Sequence, residues 1–167
     1  LERMGAKLTR SQGETHSGEN TIDLTAETGP LDAIDLEAEI APSMIDEYPV
    51  LAVAAAFARG ETRLRGLAEL RAKESDRLAG TAALLTANGI NARIEGDDLI
   101  VTGCGPDGVR GGGHVRTHGD HRLAMSGLVL GLAARQPVSI DDAGMIATSY
   151  PGFIRDMQSL GADMETA

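Results

Sequence analysis

Eight consecutive residues, Arg71-Ala72-Lys73-Glu74-Ser75-Asp76-Arg77-Leu78, carry two acids and three bases, and an apolar-periodic stretch from Leu78 to Leu85 follows at once. The pattern predicts a helix from Glu74 to about Asn88, stopped by Gly89, with charges gathered at its N-terminal end. On a helix, Glu74 and Arg77 share a face, as do Lys73 and Arg77. A like-charge pair four residues apart costs about 0.2–0.5 kcal/mol in an isolated helix. A bound anion reverses that sign, and the free N–H groups of a helix start favour anions. The alternative is a solvated helix start closed by a Glu74–Arg77 ion pair.

Two other places carry comparable chemistry. Gly119-Asp120-His121-Arg122 ends a Gly-rich loop and opens a second apolar stretch, predicted helical to about Ala134, so Arg122 sits at another anion-friendly helix start. Asp46 opens a predicted helix to Arg59, apolar on nearly every side, where an acid also suits the helix dipole. His114, His118 and His121 lack the helical spacing with partners that a metal needs, so no metal site is expected. Gly111-Gly112-Gly113 resembles a phosphate cradle but lacks the lysine that would follow it. Cys104, in a Gly-rich loop, reads as inert and excludes an internal disulfide.

The elements that must position these residues alternate between strand and helix. A helix tail ends at Gly5, and Lys7 to Arg10 reads as a short strand. Ser11 to Asn20 reads as a turn or loop, and Thr21 to Ala26 and Leu31 to Ile40 as strands. Thr62 to Gly66 is a predicted strand, and Ile90–Glu95 and Leu99–Thr102 a hairpin around Gly96-Asp97-Asp98. Gly103 to Gly119 is a predicted loop, Val138 to Ile140 a strand, Met145 to Ser149 a loop, Tyr150 to Leu160 a helix and Ala162 to Glu165 a last strand. The apolar helix and the Gly-stopped amphipathic helix each recur about 72 residues on (Val50 with Arg122-Leu123, Leu84 with Met157), with Leu1 to Ala6 resembling the end of a third copy. Helices apolar all round imply an α/β fold turned inside out, with sheets outside and helices packed within.

Totals narrow the partners. A net charge of −10 disfavours nucleic acid and anionic membrane, so an anionic ligand would need a local cluster of Arg and Lys. No apolar run reaches the ~18 residues of a membrane span. Cytoplasm is the expected compartment. A chain beginning inside a helix, without Met, is expected to be a piece of a longer protein.

The eight-residue stretch resembles the R-x-K-E-[ST]-D-R-L signature of the 5-enolpyruvylshikimate-3-phosphate synthase family, and Asp120-His121-Arg122-Leu123-Ala124-Met125 that family's D-H-R-x-A-M motif. Asp46 stands 27 residues before Lys73, the family's spacing between catalytic aspartate and signature lysine. Pro42 to Pro49 is similar to the branch found in bacteria with glyphosate-tolerant enzymes. The resemblance implies an inside-out α/β barrel of repeated βαβαββ units, here about two units plus the edge of a third. Residues 1–167 would then form one compact C-terminal portion, with an N-terminal domain outside this chain.

It also implies transfer of the enolpyruvyl group of phosphoenolpyruvate to the 5-hydroxyl of shikimate 3-phosphate with release of phosphate, without cofactor or metal, by a full-length enzyme that is monomeric. Asp46 is implied as base and shikimate ligand and Glu74 as proton donor and acceptor at carbon. Lys73 would bind the shikimate moiety, Arg77 and Arg122 phosphoenolpyruvate, and Asp120 and His121 would shape the site by hydrogen bonding. Glu69 stands where many members carry Asn, and Thr148 where many carry Lys. Rival readings are the sister transferase acting on UDP-N-acetylglucosamine and a noncatalytic anion-binding module. Alone, the chain holds about half a site and is expected to be inactive.

Overall fold

Helix α1, Tyr48–Ala56, lies at the centre, with seven of its nine residues buried, so that only Val50 and Ala54 leave a side open. Ala52, Ala55 and Ala56 are small enough to let neighbours approach from several directions, as an enclosed helix requires. Pro49 sits in the first turn, where its missing N–H sacrifices no hydrogen bond. The helix is shorter than the predicted span from Asp46 to Arg59. Asp46 lies in a tight 3-10 turn, Ile45–Glu47, and Arg59 already belongs to strand β4, Arg59–Leu64. The helix must stop early because β6 crosses its end: a side chain at Gly103 would come within 2.1 Å of the Ala58 carbonyl. The computed structural model describes residues 1–16 and 18–165.

One complete βαβαββ unit runs from β3 (Asp35–Leu36) through α1, β4, α2 (Arg77–Ala87) and β5 (Asn91–Glu95) to β6 (Asp98–Cys104). Its strands lie in the order β3-β4-β6-β5, with β3 and β4 parallel and the other pairings antiparallel. Leu99, Ile100 and Val101 of β6 are all fully buried, and Leu99 and Val101, which alternation puts on one face, join Leu64 of β4 in the core shared with α1 and α2. Full burial of such a side chain stabilises by roughly 1.5–3 kcal/mol. The second unit repeats the first four elements as β7 (His114–Val115), α3 (His121–Gly131), β8 (Ser139–Ile140) and α4 (Phe153–Ser159), with β7 and β8 again parallel.

Several expectations are corrected. Ser11 to His16, Glu19 and Asn20 belong not to a loop but to a long hairpin, β1 (Lys7–His16) with β2 (Glu19–Glu27), whose only non-strand described residue at the tip is Gly18 at φ 86. Both strands are solvent-facing, so polar residues suffice: the alternation that marks Thr21 to Ala26 is missing from Ser11 to Asn20. Within Leu31 to Ile40, Asp32 makes an isolated parallel bridge with Arg59 and only Asp35–Leu36 forms a strand among the described residues, after which the chain coils into a 3-10 turn, Ala38–Ser43, that holds Pro42, which cannot donate to a ladder.

Helix α2 starts at Arg77, not Glu74, because the Asp76 side chain caps it by accepting from the Ala79 N–H at 2.9 Å. Helix α3 ends at Gly131, not Ala134, because the chain turns to let the Arg135 and Gln136 N–H groups bond Val109 and Arg110. The loop expected from Gly103 yields its first two residues to β6 and His114–Val115 to β7. Met145 to Thr148 is a 3-10 turn, Gly144–Thr148, and α4 is shorter than the predicted span from Tyr150. Ala162 to Glu165 forms no strand among the described residues. Gly111 and Gly113 are packing sites, not a phosphate cradle: side chains there would meet the Gln136 carbonyl at 2.3 Å and the Ala87 carbonyl at 2.5 Å. Among the described residues no helix is long and apolar enough to cross a membrane.

Candidate active site

Two helix starts, those of α2 and α3, converge on one carboxylate. Asp120 caps α3, its Oδ1 accepting from the Arg122 N–H at 2.9 Å and the Leu123 N–H at 3.3 Å. It also takes the Arg77 guanidinium edge-on, Nε to Oδ2 at 2.9 Å and Nη2 to Oδ1 at 3.3 Å, while the Ser75 hydroxyl donates to Oδ2 at 3.0 Å. Asp120 is 0% and Arg77 1% exposed. Burial alone pushes the Asp120 carboxyl up, but the Arg77 hydrogen bond and charge, the Arg122 N–H and Ser75 outweigh it and hold the group below the usual carboxylate range.

Arg77 has two further partners. Its Nη1 donates to Asp46 Oδ1 at 2.8 Å and its Nη2 to Glu74. These two carboxylates differ from Asp120 in being 43% and 50% exposed, so they face outward while Asp120 is fixed within. Lys73 stands beside them, its Nζ donating to Glu69 Oε1 at 2.6 Å and lying 3.7 Å from Asp46 Oδ1. The Glu69 hydrogen bond, against some desolvation, raises the Lys73 ammonium above its ordinary value. Arg122 reaches back from α3 to the turn before α1, its Nη1 donating to the Asp46 carbonyl at 2.8 Å and to Glu47 Oε1 at 3.0 Å. A cavity of about 180 Å³ between α1 and α3 opens on Asp46, Glu47 and Arg122 over an apolar floor of Val50, Met125 and Phe153.

Asp46, Lys73, Glu74, Arg77, Asp120 and Arg122 thus lie in one network, although up to 76 residues separate bonded partners. His121 makes no side-chain hydrogen bond among the described residues. Arg77, expected to grip a ligand, is enclosed by three carboxylates, and its guanidinium meets an anion only if Glu74 or Asp46 lets go. Glu47 and Ser75 were missed: their partners are 75 and 45 residues away, and no local pattern signals them. Glu69 was readable as an i, i+4 partner of Lys73. In all, the carboxylates of Asp46, Glu47, Glu69, Glu74 and Asp120 surround only three cations, Lys73, Arg77 and Arg122. Among the described residues no three His, Cys, Asp or Glu side chains are placed to hold a metal ion.

Helices packed against sheets, with acids and guanidinium groups meeting at the helix starts, define an α/β protein with a charged site. The model of the family EPSP synthase (3-phosphoshikimate 1-carboxyvinyltransferase) matches residues 1–157, and the chain belongs to that family. A 3-phosphoshikimate 1-carboxyvinyltransferase of Acidiphilium cryptum is 57% identical over all 167 residues, which span 37% of that relative. The solved EPSP synthase of Acinetobacter baumannii superposes with a TM-score of 0.91 at 37% identity, covering 99% of this chain and 38% of that one. The enolpyruvyl transferase NikO of Streptomyces tendae superposes at 0.67 with 25% identity, covering 98% and 34%. The chain therefore spans a little over a third of the proteins it matches.

Proposed function

We propose that this chain forms one wall of the active site of a 3-phosphoshikimate 1-carboxyvinyltransferase, which joins phosphoenolpyruvate to the 5-hydroxyl of shikimate 3-phosphate and releases phosphate. The observation that carries the reading is the convergence of Asp46, Lys73, Glu74, Arg77 and Arg122 from three distant segments. In the addition step, Asp46 takes the hydroxyl proton, the oxygen bonds to the enol carbon, and Glu74 delivers a proton to the methylene carbon. In the elimination step, Glu74 removes a proton from the methyl group formed, the double bond returns, and phosphate leaves. Lys73 neutralises charge on the shikimate side. Arg122 holds the carboxylate or phosphate of phosphoenolpyruvate, for which a planar guanidinium is shaped. An anion that reaches Arg77 displaces Glu74, the more exposed partner, and so frees Glu74 to move its proton.

The site is half of a whole. Five carboxylates around three cations disfavour two polyanionic substrates, so further cations come from the rest of a longer protein, of which this is the C-terminal portion. Exposed apolar surface supports the same reading. A groove of about 420 Å³ lined by Val50, Val53, Ala54, Phe57 and Val129 opens along α1 and α3, and Ile22 and Leu24 project from the β1–β2 hairpin. The whole enzyme is taken as monomeric and cytoplasmic, and Pro42 to Pro49 supports the glyphosate-tolerant branch.

The test is phosphate release from both substrates by the full-length protein and by residues 1–167 alone. The full-length protein turns over and the isolated chain does not. Glu74→Ala lowers full-length turnover by about 10²–10⁴-fold while sparing much of the substrate affinity. Normal turnover in that variant removes Glu74 from its role. Full activity of the isolated chain refutes the half-site.

A further inference from the structure

We propose that Glu69 is a positioning residue that holds the Lys73 ammonium off Asp46 and so keeps the Asp46 carboxylate free to accept a proton. The inference rests on the transferase reading above. Lys73 Nζ is at hydrogen-bond distance from Glu69, 2.6 Å, but 3.7 Å from Asp46 Oδ1, an oxygen already occupied by Arg77 Nη1 at 2.8 Å. No hydrogen bond falls on Asp46 Oδ2 among the described residues, which leaves it the oxygen available to a substrate hydroxyl. The groups facing Lys73 are Glu69 and Asp46, which attract it, and Arg77, which repels it. With Glu69 gone, the ammonium has one carboxylate left and about 1 Å to travel. It then donates to Asp46 directly and weakens the base.

Glu69 is fitted for this by its backbone. It lies in a 3-10 turn, Ala68–Ala72, pinned beneath by the fully buried Leu67 and Leu70. From the side, the Leu67 N–H bonds the Asp97 carbonyl at 2.8 Å, and Arg71 bonds the Gly96 carbonyl at 2.7 Å and the Asp97 side chain at 3.1 Å. The turn is therefore ordered independently of Lys73, and little further entropy is lost in forming the contact. Lys73 follows with an extended backbone, φ −89 and ψ −157, which takes it out of the turn and toward Asp46. An ordinary exposed i, i+4 pair contributes little to stability, so the consequence of losing Glu69 falls on turnover instead.

The experiment compares Glu69→Ala and Glu69→Gln with the parent in the full-length enzyme, with kcat and KM measured for shikimate 3-phosphate and phosphoenolpyruvate. Glu69→Ala lowers kcat about tenfold while KM for phosphoenolpyruvate stays within about twofold. Glu69→Gln, which keeps an acceptor but not the charge, recovers about half of that loss on a logarithmic scale. Glu69 is exposed, so both variants fold; if the alanine variant does not, the glutamine variant decides by the same kcat criterion. A kcat within twofold of the parent, or a rise in both KM values at constant kcat, overturns the proposal. A parent enzyme that releases no phosphate from the two substrates overturns the transferase reading instead.

Discussion

Arg77 and Arg122 make an instructive pair. Each opens a helix beside an aspartate that caps it, Asp76 before α2 and Asp120 before α3. Yet Arg77 is 1% exposed and bound by three carboxylates, whereas Arg122 is 31% exposed and bound by one carbonyl and one glutamate. The difference comes from what each helix start faces. Arg77 points across to Asp120, which α3 has already buried, while Arg122 points along the open side of α1 toward Glu47. A buried arginine with a buried partner holds elements together; a half-exposed one keeps an edge for a ligand.

The largest test of this contrast is Arg77→Met. It strands the Asp120 charge in the interior and should cost about 3–5 kcal/mol of stability, read from urea denaturation. Arg77→Lys should rescue little, because a single ammonium cannot reproduce the guanidinium fork. Asp120→Asn comes next, with a loss of about 2–4 kcal/mol, since it leaves the Arg77 charge without its buried partner. Its sign with pH is fixed by the depressed native carboxyl. The Asp120 contribution is fully present above the unfolded value of about 3.9 and is lost as pH falls through the lower native value. The asparagine variant should therefore show a flatter loss of stability below about pH 4 than the parent.

Arg122→Met should behave in the opposite way. Stability should change by less than about 1 kcal/mol, because its partners are exposed. Apparent affinity for phosphoenolpyruvate in the full-length enzyme should weaken by about 2 kcal/mol, roughly thirtyfold. Equal losses of stability in the Arg77 and Arg122 variants would erase the distinction. The smallest effect belongs to Ser75→Ala, which removes one hydroxyl from Asp120 and should cost about 1 kcal/mol by denaturation, with phosphoenolpyruvate affinity unchanged.

The same contrast shows how far the sequence carried. Apolar runs placed the buried helices, Gly5, Gly89 and Gly161 marked the ends of similar segments, and the hairpin around Gly96 lies close to where its turn residues put it. The strands expected at Lys7–Arg10 and Thr21–Ala26 lie in β1 and β2, but the distal half of the hairpin escaped because Ser11 to Asn20 is polar and wet on both faces, and the start of α2 slipped because the Asp76 side-chain cap, not periodicity, sets its first turn. The residue types of the site were legible as acids and cations at helix starts. The saturation of Arg77 was not, because it depends on partners at separations of 3, 31 and 43 residues meeting at once.

By itself, then, the chain determined its alternation of strands and helices, the enclosed character of α1 and the kinds of charge available for chemistry. Those are properties of local composition and period, set by neighbours along the backbone. Only the tertiary structure decided which carboxylate lies at the centre, which arginine keeps a free edge and where Lys73 rests between two acids. Burial and hydrogen-bond saturation are properties of the space between segments, and that space exists only once the helices have packed.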